Sequence, residues 1–525
     1  MTALSQAGGE ATGRGPAAAG VLPQWLGRFW GVAAIVALYR IAYSIPIALA
    51  SPALGMDNVA DNVWAQQLRL VYQLRQPPLF EWLLWPVQRL TGPNAVSFLI
   101  VKDALMTLTA VFLFGAARYA IKDRRLAAVA VLSYGLFYNV AWTMLERLTQ
   151  SSLLLCCCAA AAWTFVRALR TGRTLDYALL GAALGAGLIA KFNFALFGLG
   201  LVGACLAEPT LRRRLRPAPL TLSLLVAAAI AAPFVYGVAV SGQPVARAAV
   251  NIMEGGARAP YLARVGQGLS GLALSLVEFS LALVPLALLA FWKPLATAPP
   301  GADAAAAHAR LFGRTSLIAA ALAAIGIVAS GSIYVRDWHV LPVFAVLPLW
   351  LFARVERGGV SARRLRLWPW IVFVPVAACA SISVAGALVP DAAYCGRCGQ
   401  LTPYPALARD LETMGAAEAT LVVLDPYTAG NLRAQLPKAR IVMPGFAPTR
   451  PAGAGLDCVA VWETGTRPIP LEAAIVAAGY PRADLAGSGA DGFVTHYWPR
   501  QWLSGFGRST TWGVRRLNPN APVCR

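Results

Sequence analysis

Charge is scarce in this sequence, and acid is the scarcer half of it. Only 13% of the 525 residues are charged, 24 of them acidic and 45 basic, well below the roughly 25% of a soluble globular chain. Histidine occurs three times, as His308, His339 and His496, which argues against a histidine-rich metal site. The nine cysteines make no zinc framework. Cys156, Cys157, Cys158, Cys205 and Cys379 fall in apolar runs, where a thiol serves as a small buried hydrophobe. No nucleotide-binding glycine loop stands ahead of a helix; GGARAP and GAGLDC read as ordinary loops.

What fills the chain instead is hydrocarbon. Hydrophobic residues make up 58% of it and the mean hydropathy is +0.59, as in an integral membrane protein. The formal charge of +21 does not mark a nucleic-acid binder, because the arginines sit in short loops between apolar spans rather than along one groove. With about 20 apolar residues per crossing, eleven spans are predicted: 29–50, 95–117, 126–143, 150–167, 175–190, 192–207, 218–240, 269–292, 315–334, 339–354 and 367–389. With the N-terminus inside, every inside loop is basic. They carry Arg118, Lys122, Arg124 and Arg125; Arg167, Arg170 and Arg173; Arg212, Arg213, Arg214 and Arg216; Lys293, Arg310 and Arg314; and Arg354, Arg357, Arg363, Arg364 and Arg366. This is the positive-inside pattern of a multi-pass protein in a bacterial inner membrane. An odd number of spans sends the tail to the periplasmic side.

Three parts follow. Residues 1–23, rich in Gly, Ala and Pro, are expected to be a disordered cytoplasmic segment, followed by an uncleaved signal anchor. Residues 24–389 form the polytopic helical bundle, with 51–94 as its first periplasmic loop. Residues 390–525 read as a periplasmic α/β domain, because TLVVLD, KARIVM and CVAVWE look like short buried strands alternating with helical stretches such as YPALARDLETMG. In that domain a Cys395–Cys398 or a Cys458–Cys524 disulfide would suit an oxidising compartment, and spacing does not choose between them.

The ionisable residues gather at the outward ends of the spans. Asp57 and Asp61 are four residues apart, so on a helix their carboxylates share one face; Asn58 lies beside them. Pro77-Pro78 ends that segment, and Glu81 opens the apolar helix LFEWLLW, whose tryptophans suit the headgroup zone. Glu146 and Arg147 lie between spans three and four, and Lys191 with Asn193 between five and six. Arg258 and Arg264 fall in the loop before span eight, and Arg336, Asp337 and His339 between nine and ten. Taken singly each has a plain reading: a snorkelling lysine, a loop ion pair, a helix-end histidine. Arg40, well inside span one, reads as a structural partner for another span. Their common sidedness points further. Ionisable groups beside hydrocarbon cost about 2.5–3.5 kcal/mol each, so they face a cavity or a partner. Carboxylates at one edge and cations at another suit a lipid-borne phosphate and an attacking hydroxyl.

The order of these features resembles the bacterial membrane glycosyltransferases of family 39, the group with the protein O-mannosyltransferases and the lipid A aminoarabinose transferase. The stretches that carry the resemblance are MDNVADNVWAQQL, QPPLFEWLLWPVQRLTGP, AWTMLERLTQSS, IAKFNFALFGLGL and YVRDWHVLPVFAVLPLWL, with AGNLRAQLPKARIVMPG in the tail. The resemblance implies a GT-C fold and inverting transfer from a polyprenyl-phosphate-sugar donor to a lipid, glycan or protein acceptor at the outer face of a lipid membrane. It places Asp57 as the acid of the first outer loop, supported by Asp61 or Glu81. It places Lys191, Arg147 and Arg336, with Arg258 and Arg264, at the donor phosphate. Asn58, Glu146, Asn193, Asp337 and His339 would line the rest of the pocket. Many relatives carry Asp-Glu where this chain has Asp57-Asn58, and an acidic-basic pair where it has Arg75-Gln76. A divalent cation stays open as a cofactor with no ligands assigned. Two other readings predict different behaviour: a secondary transporter or flippase would move solute, and a scaffold of envelope assembly would show no activity. The one-sided placement of the charges, away from the midplane, argues against the transporter.

Overall fold

The structure, a computed structural model, describes residues 21–51, 53–55, 57–241, 259–388, 401–449, 457–464, 468–478, 490–498 and 508–525. Helix α1 (Phe29–Ala50) leads into the first loop, which holds α2 (Asp57–Trp64) and α3 (Leu79–Thr91). The bundle continues with α4 (Ala95–Ala120), α5 (Arg124–Leu132), α6 (Thr149–Thr171), α7 (Thr174–Ala190), α8 (Phe194–Leu206) and α9 (Pro217–Val240). After it come α10 (Tyr261–Ser280), α11 (Leu283–Thr297), α12 (Ala304–Ser330), α13 (Leu347–Gly358) and α14 (Ala362–Leu388). Helices α1, α4, α6, α9, α12 and α14 are long and apolar enough to cross a membrane. Two further crossings are bent, by 76° between Leu136 and Asn139 and by 64° between α10 and α11. Helices α7 and α8 are shorter and apolar. The protein is a multi-pass membrane protein.

Two predicted spans start too late. Helix α12 begins at Ala304, where the Asp303 carboxylate accepts the Ala306 N–H at 2.9 Å and caps the first turn. Arg310 and Arg314 therefore lie on a helix rather than in a loop, and both pair with Glu208 at 2.8 and 3.1 Å. Counting apolar runs misses a helix whose first turns carry paired charges. Helix α10 likewise begins at Tyr261, so Arg264 is helical and not in the loop where it was expected. The run at 339–354 divides into a single turn, Leu341–Phe344, and α13.

Packing in the bundle relies on small residues. Gly181 and Gly185 stand four apart on α7, and a Cβ at either would meet a carbonyl oxygen of α9, Ser223 at 2.4 Å or Ala227 at 2.8 Å. Such close approach is how helices gain contact where no hydrophobic force separates them from lipid. Helix α6 is almost wholly buried, with Cys156, Cys157 and Cys158 among its core residues. Arg40 pairs with Asp103 of α4 at 2.7 Å, and Ser44 donates to the same carboxylate at 2.6 Å.

Beyond α14, helix α15 (Tyr404–Thr413) precedes β1 (Thr420–Val423), α16 (Pro426–Gln435), β2 (Arg440–Val442), β3 (Cys458–Thr464), α17 (Leu471–Ala478), β4 (Gly492–Tyr497) and β5 (Ser509–Arg516). The strands form one sheet in the order β2-β1-β3-β5-β4. The β1–β2 and β1–β3 pairs are parallel, and β3–β5 and β4–β5 antiparallel. The three strands read from the sequence are its buried parallel half, with β2 at the edge; β5 and β4 extend it on the other side. A disulfide joins Cys458 to Cys524, whereas Cys395 and Cys398 lie outside the described residues.

This domain sits on the first loop. Gly430 of α16 lies so close to α2 that a Cβ there would stand 2.2 Å from the Val59 carbonyl oxygen. Around this contact, Asn62 donates to the Gly430 carbonyl at 2.8 Å. Asn431 accepts from the Leu54 N–H at 2.6 Å and donates to the Leu54 carbonyl at 3.1 Å. Arg433 donates to Gln88 of α3 at 2.8 Å.

Candidate active site

Asp57 opens α2 at the end of the bundle that carries the C-terminal domain. Its Oδ2 accepts the backbone N–H of Leu148 at 3.1 Å. Leu148 is left-handed (φ 59, ψ 52) and is the one non-glycine residue with positive φ among the described residues. A side chain in that conformation costs roughly 1–2 kcal/mol, so neighbours must hold it. Lys102, reaching from α4 and only 1% exposed, donates to the carbonyls of Leu145 at 2.9 Å and Arg147 at 3.2 Å. On the other side of Leu148, Asp61 accepts from Thr149 at 2.7 Å and Gln150 at 3.1 Å. The shared face of Asp57 and Asp61 thus meets the start of α6.

Asp61 and Glu81 are each 1% exposed. Burial raises both carboxyls well above their ordinary range, and Glu81 raises Asp61 further. Glu81 Oε2 is buried with no hydrogen-bond partner among the described residues. Burial and the proximity of the two acids both favour the protonated form.

A cluster of cations lies across from it. Lys191, in the turn between α7 and α8, donates to Ser151 at 3.0 Å. Burial pulls its ammonium down to about 8, against the pull of Asp57. Arg75 and Arg336 both lie over the Tyr334 ring, 5.9 and 5.6 Å from its centroid, and His339 meets the same ring edge-on at 5.5 Å. Burial, then Lys191, Arg75 and Arg336, drive His339 down to about 3, so the imidazole is neutral. Asn193 donates to the His339 carbonyl at 2.9 Å, and Asn139 to Asp337 at 2.9 Å. Asp57 is within electrostatic reach of both Lys102 and Lys191.

Other predicted residues fall elsewhere. Glu146 accepts from Ser383 at 3.0 Å and, with Arg147 and Asn58, lines a cavity of about 900 Å³ beside the cluster. Arg264 stands next to Gly331 on α10. Arg258 lies outside the described residues. Sequence reasoning missed Lys102, hidden in an apolar run, and counted Arg75 only as a departure from the family pattern. Among the described residues no three His, Cys, Asp or Glu side chains converge as a metal-binding group.

The chain is similar to known proteins. Residues 75–236 match the family described as dolichyl-phosphate-mannose-protein mannosyltransferase. The lipopolysaccharide core galacturonosyltransferase RgtB of Rhizobium johnstonii is 28% identical over 427 residues, covering 80% of this chain and 84% of that protein. RgtA of the same organism, also a lipopolysaccharide core galacturonosyltransferase, is 28% identical and covers 76% of this chain and 79% of its own. These matches fit a membrane glycosyltransferase similar to those of family 39. The glycosyltransferase also shares its fold with ArnT from Cupriavidus metallidurans, solved with undecaprenyl phosphate. The TM-score is 0.55 at 14% identity, over 95% of this chain and 98% of that one. These relatives give the transporter reading no support. The GT-C fold that the resemblance implies is the one observed.

Proposed function

We propose that the glycosyltransferase moves a sugar from a polyprenyl-phosphate donor to a hydroxyl of an envelope glycolipid or glycan. Transfer takes place at the outer face of the inner membrane. The observation that carries this reading is Asp57, within electrostatic reach of both Lys102 and Lys191 and next in sequence to Asn58, which with Lys102 lines a cavity that the C-terminal domain helps to enclose. The basic loops at the opposite end of the bundle support this orientation, since the positive-inside rule favours the cytoplasm for such an end. The names of the relatives favour a lipopolysaccharide acceptor and make galacturonosyl the first sugar to test. The neighbour solved with undecaprenyl phosphate favours that lipid as carrier.

In this mechanism Lys191, Arg75 and Arg336 hold the donor phosphate and neutralise it as the C1–O bond breaks and polyprenyl phosphate leaves with the electron pair. Asp57 orients the acceptor hydroxyl and takes its proton as the oxygen attacks C1 from the opposite face, inverting it. Leu148, Thr149 and Gln150 keep Asp57 and Asp61 in register. The test is reconstitution with undecaprenyl-phosphate galacturonate and glycolipid from a strain lacking the gene, read by mass spectrometry. Asp57→Asn is expected to abolish transfer while undecaprenyl phosphate still binds; unaltered transfer by that variant would end the assignment.

A further inference from the structure

Lys102 is a buried cation whose hydrogen bonds among the described residues go to backbone rather than to a carboxylate. It projects from an apolar run of α4 and is 1% exposed, where an ammonium is costly unless something answers it. Three carboxylates lie within its electrostatic reach: Asp57, Asp103 and Glu146. Each is engaged elsewhere, Asp103 with Arg40 and Ser44, Glu146 with Ser383, and Asp57 with the Leu148 N–H. Lys102 instead grips the carbonyls of Leu145 and Arg147, just before the joint where the turn Met144–Glu146 gives way to α6. The Arg147 carbonyl and the Leu148 N–H are the two ends of one planar peptide. Lys102 holds its oxygen at 3.2 Å, and Asp57 Oδ2 takes its hydrogen at an N···O distance of 3.1 Å. The next carbonyl, that of Leu148, accepts the Ser152 N–H at 3.0 Å and its hydroxyl at 3.1 Å. Leu148 between them is left-handed, a conformation that a leucine leaves when nothing holds it.

We infer that Lys102 is a positioning residue: by clamping the Leu145 and Arg147 carbonyls it keeps Leu148 left-handed, and the Leu148 N–H then sets the direction of the Asp57 carboxylate. The inference rests on the proposed function, in which Asp57 takes the proton of the acceptor hydroxyl. With Oδ2 held by Leu148, Oδ1 is the oxygen left for that hydroxyl. Without the clamp the peptide turns, its N–H swings off the carboxylate, and Asp57 loses its aim at the attacking oxygen. The cation also polarises the peptide that it grips, which strengthens the bond at the far end. Lys102 lines the cavity, yet its work is done through backbone, and it touches neither substrate.

The test measures transfer kinetics with the glycolipid purified from a strain lacking the gene, and undecaprenyl phosphate binding alongside. Lys102→Met is expected to lower kcat about a hundredfold. The acceptor KM and the undecaprenyl phosphate affinity are expected to stay within about twofold of the unaltered protein. Leu148→Gly in the same background should recover about tenfold of the loss, because glycine takes the left-handed turn unaided. Leu148→Ala removes the same side chain but keeps the strain, and should recover none. A changed KM or affinity in place of a lower kcat overturns the clamp in favour of direct contact with substrate, and so does equal recovery by Gly and Ala. Leu148→Val leaves Lys102 in place and so decides the matter even where Lys102→Met does not fold. Its β-branch is a poor fit to a left-handed turn, and its kcat should lie about tenfold or more below that of Leu148→Met, unbranched and of similar size; equal values overturn the clamp. An inactive Asp57→Asn beside a fully active Lys102→Met ends the clamp alone. If the unaltered protein transfers nothing to the glycolipid, the proposed function falls and the clamp with it.

Discussion

Gly430→Ala tests the seat of the C-terminal domain on the first loop. The added Cβ would stand 2.2 Å from the Val59 oxygen, 2.5 Å from its Cα and 2.6 Å from its carbonyl carbon, where ordinary contact begins at 3.4 Å. Backbone cannot swing aside as a side chain can, so α2 must retreat by about 1 Å. That carries the Asn62–Gly430 bond at 2.8 Å and the Leu54–Asn431 pair at 2.6 and 3.1 Å out of range. Three such bonds are worth roughly 3 kcal/mol. Alanine in a helix returns about 1 kcal/mol relative to glycine. The net cost of about 2 kcal/mol shifts the docked population roughly thirtyfold. The Leu54 amide, which donates to Asn431, is the reporter: its hydrogen exchange should accelerate about thirtyfold, with transfer falling alongside. Were the face open, the same variant would be stabilised by its helix propensity. An unchanged Leu54 amide with a raised melting temperature would therefore refute the docking.

Lys191→Met should weaken undecaprenyl phosphate binding about tenfold to a hundredfold, the worth of a charge-assisted hydrogen bond. Arg75→Met should do likewise, and Arg124→Met, at the opposite end, should not; equal losses from all three would count against a local phosphate site. Glu81 has a raised folded-state pKa, set first by burial. Between the unfolded glutamate value near 4.3 and that raised value, the folded protein binds more protons than the unfolded chain, so stability falls as pH rises across that window. Glu81→Gln should flatten the melting temperature between about pH 4 and 8, and an unaltered slope would contradict a buried Glu81 that titrates high. Cys524→Ser opens a loop spanning 66 residues and should cost the domain up to about 4 kcal/mol, seen as earlier melting; identical melting with and without reductant would contradict it.

The membrane architecture was legible because each span is a run of side chains that water rejects. The central strands were legible too, because TLVV and CVAVW bury both faces. Pairings across the sequence were not. Lys102 sits in the apolar run of α4 and gains meaning only when the Leu145 and Arg147 carbonyls come to it. The burial of Asp61 beside Glu81 depends on how α2 and α3 fold back, which no local spacing encodes. Arg75 looked like a departure from the family pattern, yet it stacks on Tyr334 beside Arg336. Strand β4 was obscured by alternation of exposed and half-buried residues, a weak signal at a sheet edge.

The grip of α16 on α2 also orders events during synthesis. The ribosome delivers Asp57 nearly four hundred residues before Asn431 and Arg433 (roughly twenty seconds or more at usual elongation rates). Through that interval the bundle can insert while one wall of its cavity does not yet exist. Competence therefore arrives late and all at once, and a chain stopped anywhere before the tail would sit in the membrane inert.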